Sequence, residues 1–203
     1  MKPVSEKNLA TRLDQLYERI ASACRASGRS SEAITLIGIS KTKPAEVIAA
    51  AYALGLKNFG ENYLQEASGK IDALEGLAAT WHYVGNIQSN KTKEVAKYFD
   101  WVHTVDRNKV AQRLNDQCPA DKTIQVLIQV NIDEDPNKGG CSPGETLNLA
   151  QQMMLLPRIQ IRGLMTILSK DSMPRDSYES VAQLFTEIAA KLPADQQRCW
   201  DTL

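Results

Sequence analysis

Apolar and polar residues are distributed along this 203-residue chain in a pattern that predicts a helix followed by alternating strands and helices. Near the N-terminus, apolar residues recur every three or four positions from Leu9 to Cys24. This spacing predicts an amphipathic helix over residues 5–27, with Gly28 as its C-terminal stop. Continuous or alternating apolar runs then predict strands at residues 34–40, 58–61, 81–85, 101–105, 125–132 and 161–167. Helix-period segments lie between and after them, at about residues 44–54, 62–74, 88–98, 107–117, 143–155 and 175–192.

Residues that favour helix ends support these boundaries. Pro44 suits the first position of a helix, where its missing N–H costs nothing. Asp106 can cap a helix that starts at Arg107. Residues 142–145, Ser-Pro-Gly-Glu, form a capping box with proline at the first helical position. Strands that alternate with helices of this length predict βα units and a parallel sheet.

The number of βα units favours a barrel over a small three-layer domain. A (β/α)₈ barrel usually needs roughly 250 residues. Here six units follow the leading helix, and a seventh strand would begin at residues 200–203. Two architectures fit: an open doubly wound sheet, or a barrel without its last two strands. In either case we expect one domain over residues 1–203, with a leading helix at 5–28 and βα units over 34–203.

Composition narrows the possible partners. The chain has 24 basic and 24 acidic residues without a strongly one-signed stretch, which gives no support to a nucleic-acid or anionic-membrane partner. Its four cysteines are scattered, with no CxxC motif and no histidine at ligand spacing, so we expect neither a zinc site nor a disulfide framework. No apolar segment reaches about 18 residues. No signal peptide is recognisable either, and the expected compartment is the cytoplasm.

Lys41 is the most informative candidate for chemistry. It follows the apolar run of residues 34–40, which is typical of a strand covered on both faces. Ligands of parallel α/β folds bind beyond the carboxyl ends of the strands. We expect an amine there to be half-buried, with a lowered pKa, and therefore able to act as a Schiff-base nucleophile. The competing interpretation is a solvated lysine in an ordinary loop.

Six ordered segments resemble the YggS family of pyridoxal-phosphate-binding proteins, whose eukaryotic members are called PLPBP or PROSC. The resemblance covers about residues 5–203. The matching segments are ISKTKP (39–44), FGENYLQE (59–66), WHYVGNIQSNK (81–91), HTVD (103–106), VLIQVN (126–131) and RGLMTI (162–167).

This resemblance implies a fold, a cofactor and a set of cofactor-binding residues. The fold would be a (β/α)₈ barrel of the alanine racemase N-terminal-domain type, C-terminally incomplete here. Lys41 matches the lysine that carries pyridoxal 5′-phosphate as a Schiff base, and Asn62 and Met165 match positions close to the cofactor. The family continues past Leu203 with two strands that supply the phosphate cup. It is associated with cytosolic vitamin B6 homeostasis, so the expected partners are the cofactor and pyridoxal-phosphate-dependent apo-enzymes, with a monomer expected at full length.

Several other residues have two interpretations. Asn62 could contact a ligand, cap the helix that follows it, or do both. His82 and His103 could act as bases, although their place inside strands favours a structural role. The glycine-rich residues 137–140 could bind an anion, but an ordinary turn is favoured.

Three functions compete: a carrier of pyridoxal phosphate, a racemase-like enzyme that uses the same lysine, and a Schiff-base aldolase. Two-base racemisation needs an acid or base on each face of the substrate. In alanine racemase one of these groups comes from an additional domain, for which this chain has no room. An aldolase would need acid–base partners, which only His82 and His103 suggest. The sequence therefore favours the carrier, with no catalytic residue and no metal.

Overall fold

The computed structural model describes the backbone of residues 6–203 and the side chains from residue 8 onward. Strands and helices alternate after a long leading helix. The strands are β1 Ile37–Ile39, β2 Asn58–Glu61, β3 Thr80–Tyr83, β4 Trp101–Val105, β5 Ile124–Gln129 and β6 Ile159–Met165. The helices are α1 Glu6–Ser27, α2 Ala45–Ala53, α3 Leu64–Ala73, α4 Thr92–Tyr98, α5 Asn108–Gln117, α6 Pro143–Met153, α7 Pro174–Ala189 and α8 Ala194–Gln197. The 3₁₀ turn at Ser31–Ala33 and the short helix α8 have no counterpart among the predicted elements, whereas the 3₁₀ turn at Ser89–Lys91 forms the start of the helix predicted at about residues 88–98.

The chain divides into two compact units between Trp81 and His82, inside β3. In the first unit β1 pairs in parallel with β2, in a register that places Ile39 opposite Gly60. The interior of this unit contains a set of apolar side chains. It includes Leu13, Ile48, Leu56, Phe59, Ala67 and Trp81, all buried.

In the second unit β3, β4, β5 and β6 pair in parallel in chain order. One face of β5 is apolar and fully buried at Ile124, Val126 and Ile128, whereas Gln125 and Gln129 on the other face are half-buried. The opposite face is mixed, since Leu127 between these two glutamines is also buried. The expected parallel α/β class is therefore confirmed, and so is the parallel pairing of the first two strands.

The first strand differs from its prediction. The apolar run of residues 34–40 forms only the three-residue strand β1, and Ile39 keeps 49% of its surface exposed. The expectation of a strand covered on both faces is therefore wrong. An apolar run shows that burial would be favourable, but whether both faces are covered depends on segments elsewhere in the chain.

The helix ends predicted from the sequence are confirmed in part. Gly28 has a φ of 68° directly after α1 ends, and residues 142–145 form the expected capping box. Pro44 is the N-cap of α2 rather than its first helical residue. Asp106 caps no helix. Its carboxylate instead accepts a hydrogen bond of 2.6 Å from the Arg107 guanidinium, and Arg107 itself is the N-cap of α5.

The last residues contact β6. Thr202 forms a parallel bridge with Gly163, and its carbonyl accepts the Leu164 N–H at 3.2 Å. Gly163 has a φ of 145°, and a Cβ atom at this position would overlap the Thr202 carbonyl. Residues 200–203 thus lie where the sequence placed the start of a seventh strand.

Candidate functional site

Lys41 and Asn62 occupy equivalent places beyond two paired strands. Ile39 pairs with Gly60, and Lys41 and Asn62 each follow two residues further along the chain, beyond the carboxyl ends of β1 and β2. Two of the three residues that the family resemblance singles out thus follow the ends of two paired strands.

The Lys41 side chain is exposed, contrary to the expectation of a half-buried amine. Lys41 is exposed for the same reason as Ile39, because β1, the strand that precedes Lys41, is itself only partly covered. The next residue, Thr42, has a φ of 63°, a left-handed conformation that residues other than glycine seldom adopt. Residues 40–42, with Lys41 in the middle, thus form a conformationally restricted corner of the chain.

A buried ion cluster lies at the ends of β1 and β2. Lys70 of α3 is 8% exposed, and its Nζ lies 2.7 Å from Glu61 Oε1 and 2.6 Å from Glu66 Oε1. The same ammonium donates a hydrogen bond of 2.7 Å to the Ser40 carbonyl. Ser40 also donates from its hydroxyl to Glu61 Oε1 at 2.6 Å. The cluster therefore joins α3 to the ends of β1 and β2.

Glu66 connects this cluster to the residue after Lys41. The Thr42 N–H donates to Glu66 Oε1 at 2.5 Å. The hydrogen bond from Lys70 lowers the pKa of the Glu66 carboxyl below its usual value. Partial burial opposes this shift, and the hydrogen bond from the Thr42 N–H adds to it. Glu66 is therefore a charged acceptor at neutral pH, and hydrogen bonds to charged acceptors are stronger than neutral ones.

Asn62 carries a buried acceptor without a partner. Its Oδ1 atom is inaccessible to solvent and makes no hydrogen bond in the structure. The expectation that Asn62 caps the following helix is wrong, since α3 begins at Leu64 and has Tyr63 as its N-cap. A buried acceptor left unpaired is costly unless a ligand or water supplies a donor. Asn62 is thus a polar side chain available to a ligand beside Lys41.

Met165, the third expected residue, is the last residue of β6 in the second unit. It is half-buried, and its carbonyl accepts the Val130 N–H at 2.9 Å. A cavity of about 420 Å³ lies at the carboxyl edge of this unit. Met165 is not among its lining residues, which include Asn86, Thr104, Asp106, Arg107, Gln129 and Ile167.

The two histidines are buried together in the second unit. His82 Nδ1 lies 2.9 Å from His103 Nε2. Burial lowers the pKa of His82 to about 3, with a further contribution from His103, and burial lowers the pKa of His103 to about 4. Both imidazoles are therefore neutral at pH 7. This geometry supports the structural interpretation of both residues.

The glycine-rich residues 137–140 form a turn held by internal hydrogen bonds. The Asn137 N–H donates to Asp135 Oδ1 at 2.9 Å, and the Lys138 N–H donates to the Asp135 carbonyl at 3.0 Å. Two of the N–H groups that an anion would need are thus already used. The ordinary-turn interpretation is the better supported one.

The cluster around Lys70 was missed by sequence reasoning. A weak signal existed in the Glu66–Lys70 pair, which has the i,i+4 spacing of neighbouring side chains on one helix face. Such pairs are common on solvated helices, so the spacing alone does not indicate burial. Glu61 lies within the family segment FGENYLQE, and no local pattern predicts that a strand-end glutamate is fully buried.

The described part of the chain has neither a metal-binding cluster nor a membrane-spanning helix. No group of three or more His, Cys, Asp or Glu residues from that part could hold a metal ion. Among the same residues, no helix is both long and apolar enough to cross a membrane.

The fold and the strand-end lysine define a class of parallel α/β proteins, and comparison with known proteins identifies the family. The model of the alanine racemase N-terminal domain matches residues 12–200. A Pseudomonas aeruginosa protein named pyridoxal phosphate homeostasis protein is 44% identical over 176 residues, which cover 86% of this chain and 74% of that protein. An Escherichia coli protein of the same name is 43% identical over 186 residues, covering 90% of this chain and 80% of that protein.

Solved structures agree with the sequence matches. PipY of Synechococcus elongatus, solved with PLP bound, has a TM-score of 0.70 and 32% identity and covers 85% of this chain and 82% of PipY. Alanine racemase of Clostridium difficile has a TM-score of 0.69 at 14% identity, covering 95% of this chain and 48% of that one, and shows the fold alone. The chain belongs to the family of pyridoxal phosphate homeostasis proteins, with the fold type of the alanine racemase N-terminal domain. The family and fold type expected from the sequence are confirmed. The closure of the strands into a barrel and the single-domain organisation stay predictions.

Proposed function

We propose that this chain binds pyridoxal 5′-phosphate covalently through Lys41 and serves intracellular vitamin B6 homeostasis as a carrier. The observation that carries the proposal is the unpartnered buried Oδ1 of Asn62, which follows β2, the strand that pairs with the one preceding the exposed Lys41. The names of the relatives and the PLP-bound structure of PipY support the same ligand.

The residues present fit this cofactor. The cofactor would supply an aldehyde, with which a lysine amine of the protein would condense as one water molecule leaves. Lys41 supplies an accessible amine on a restricted corner of the chain, and Asn62 supplies an amide with an unused acceptor. Met165 supplies a half-buried thioether, which suits contact with a flat ring. Cofactor-binding roles for Lys41, Asn62 and Met165 are thus part of the proposal.

A carrier is favoured over a racemase or an aldolase. Both enzymes need positioned acid–base groups. His82 and His103 bond to each other in a buried pair and have depressed pKa values, so neither is poised to exchange protons with a substrate at neutral pH. We therefore assign no catalytic residue. The recipients of the cofactor would be pyridoxal-phosphate-dependent apo-enzymes.

The remaining parts of the proposal concern location and assembly. The chain carries 24 basic and 24 acidic residues, which favours a small-molecule ligand over nucleic acid or an anionic membrane. We place the protein in the cytoplasm and expect the full-length form to be a monomer. Sedimentation with and without the cofactor checks the expected monomer.

Borohydride trapping tests the covalent site. The protein is incubated with pyridoxal phosphate, reduced with borohydride and weighed intact, and the modified residue is mapped by peptide mass. We expect one adduct on Lys41 in the wild type, none in Lys41→Ala, and an unchanged adduct in the neighbouring Lys43→Ala. An adduct of equal yield in Lys41→Ala would overturn the assignment.

Two activity measurements test the carrier role. Each protein is incubated with pyridoxal phosphate and then freed of unbound cofactor. The wild type should restore the activity of an apo-enzyme that depends on pyridoxal phosphate, and the Lys41→Ala variant should not. Interconversion of L- and D-alanine by the loaded wild type, lost in Lys41→Ala, would instead favour the racemase-like alternative.

A further inference from the structure

The two residues that flank Lys41 are both anchored to helix α3. The Ser40 carbonyl accepts a hydrogen bond of 2.7 Å from Lys70 Nζ. The Thr42 N–H donates to Glu66 Oε1 at 2.5 Å. Lys70 and Glu66 are themselves joined, with Nζ and Oε1 2.6 Å apart. The backbone on either side of Lys41 is therefore tied to one ion pair on one helix.

The Lys70 ammonium is fully engaged in these contacts. Its three N–H groups have three acceptors, the Ser40 carbonyl, Glu61 Oε1 and Glu66 Oε1, all within 2.7 Å. It is 8% exposed, and an ammonium that donates all three hydrogens has no free lone pair with which to attack an aldehyde. Lys70 is therefore unsuited to be a second reactive lysine, although it is connected to the first through Ser40.

The anchor at Glu66 holds a conformation that the chain would not favour by itself. Thr42 has a φ of 63°, in the left-handed region, where a β-branched residue is a genuine outlier. Such conformations persist when the surrounding structure overdetermines them. The charged Glu66 acceptor supplies part of that restraint, and the direction of the preceding Lys41 side chain depends on it.

We infer that Lys70 and Glu66 are positioning residues for Lys41, which hold the corner of residues 40–42 so that the lysine amine is presented in one direction. This inference rests on the proposed function for its consequence, since it assumes that Lys41 is the amine that carries the cofactor. The restraint on the corner is a property of the protein alone and can be measured without the cofactor.

Hydrogen exchange at the Thr42 amide tests the restraint directly. Glu66→Ala removes the acceptor, whereas Glu66→Gln keeps an oxygen that can accept from Thr42 and Lys70. Glu179→Ala is the matched control, because Glu179 also forms an i,i+4 ion pair on a helix, with the exposed Arg175. We expect exchange at Thr42 to be about tenfold faster in Glu66→Ala, near the wild-type rate in Glu66→Gln and unchanged in Glu179→Ala.

Binding of pyridoxal phosphate tests the consequence. The yield of borohydride-trapped adduct at Lys41 is measured against cofactor concentration for the same variants, at a temperature where all of them are folded. We expect the concentration for half-maximal adduct to rise about tenfold in Glu66→Ala, as for the loss of one charge-assisted hydrogen bond, and to recover in part in Glu66→Gln, whose amide oxygen can still accept but is neutral. A merely structural role would lower the melting temperature and leave this concentration unchanged.

The outcomes separate the inference from the proposed function. If the wild type forms no adduct at Lys41, the proposed function fails, and the Thr42 exchange rates alone decide the restraint. If the wild type forms the adduct and Glu66→Ala binds equally well, the proposed function stands and the positioning role is overturned. Equal exchange at Thr42 in wild type and Glu66→Ala would also overturn it.

Discussion

His82 Nδ1 and His103 Nε2 lie 2.9 Å apart in the interior of the second unit, which makes each imidazole the hydrogen-bond partner of the other. One nitrogen must donate and the other accept, so the pair is satisfied only while at least one ring is neutral. The rings also pack edge to face, with centroids 5.1 Å apart, and His82 stacks on Trp101 at 5.7 Å. A proton added to either ring would place a charge among buried rings.

This pair predicts a loss of stability in mild acid. The pKa of His82 is about 3 and that of His103 about 4 in the folded protein, below the usual value of 6.5, so the unfolded chain binds more protons. The free energy of unfolding is therefore at its full value above pH 6.5 and falls as the pH drops toward the folded pKa values. The expected slope is up to about 1.4 kcal/mol per pH unit for each histidine. Urea unfolding at pH 7, 6 and 5 measures it.

A single substitution checks that this slope comes from the histidines. His82→Gln keeps a hydrogen-bonding side chain but does not titrate, so the slope between pH 6.5 and 5 should fall to about half. Carboxylates such as Glu66, whose pKa is lowered, lose their contribution to the free energy of unfolding only at lower pH. An identical slope in wild type and His82→Gln would show that other groups control the acid response.

Removal of the Lys70 ammonium should be strongly destabilising. Lys70→Met leaves Glu61, which is fully buried, without its cation. Breaking a buried pair from one side typically costs about 3–5 kcal/mol. The control Lys91→Met removes the partly exposed pair with Glu94 and should cost about 0.5 kcal/mol or less. Urea denaturation compares the two, and equal losses would mean that the buried cluster contributes no more than a surface pair.

Asn62 is expected to contribute to cofactor binding but not to the stability of the cofactor-free protein. Its Oδ1 is buried without a partner, so Asn62→Leu removes an unsatisfied acceptor while keeping a similar volume. We expect the free energy of unfolding without cofactor to stay level or to rise by about 1 kcal/mol. The adduct yield at Lys41 should fall at the same time, as measured by borohydride trapping. Unchanged trapping would remove Asn62 from the cofactor site.

Gly163 is a position where only glycine fits. Its φ is 145°, and a Cβ atom would overlap the Thr202 carbonyl and lie 2.8 Å from the Phe185 ring. Gly163→Ala should therefore lower the free energy of unfolding by about 2–5 kcal/mol through backbone strain and overpacking. Gly69 in α3 is the contrasting position, since a Cβ there meets nothing within 4 Å. Gly69→Ala should stabilise by about 0.5–1 kcal/mol in the same unfolding assay.

The order and type of the main elements could be predicted from the sequence. Hydrophobic periodicity placed β2 and β4 at their observed bounds, and a capping box placed the start of α6 at Pro143. These features depend on neighbours within a few residues, which is the range over which periodicity and capping act. Two cofactor candidates, Lys41 and Asn62, were also expected beyond adjacent strands, but their roles came from the family resemblance and stay predictions.

The tertiary structure decided what surrounds those residues. The exposure of Ile39 and Lys41, the orphan acceptor of Asn62 and the burial of Lys70 with Glu61 all depend on which distant segments pack against a strand end. The sequence by itself therefore determined the succession of elements and the reactive residue types. Only the folded chain determined which side chains are desolvated and paired, because burial is a property of contacts between residues far apart in sequence.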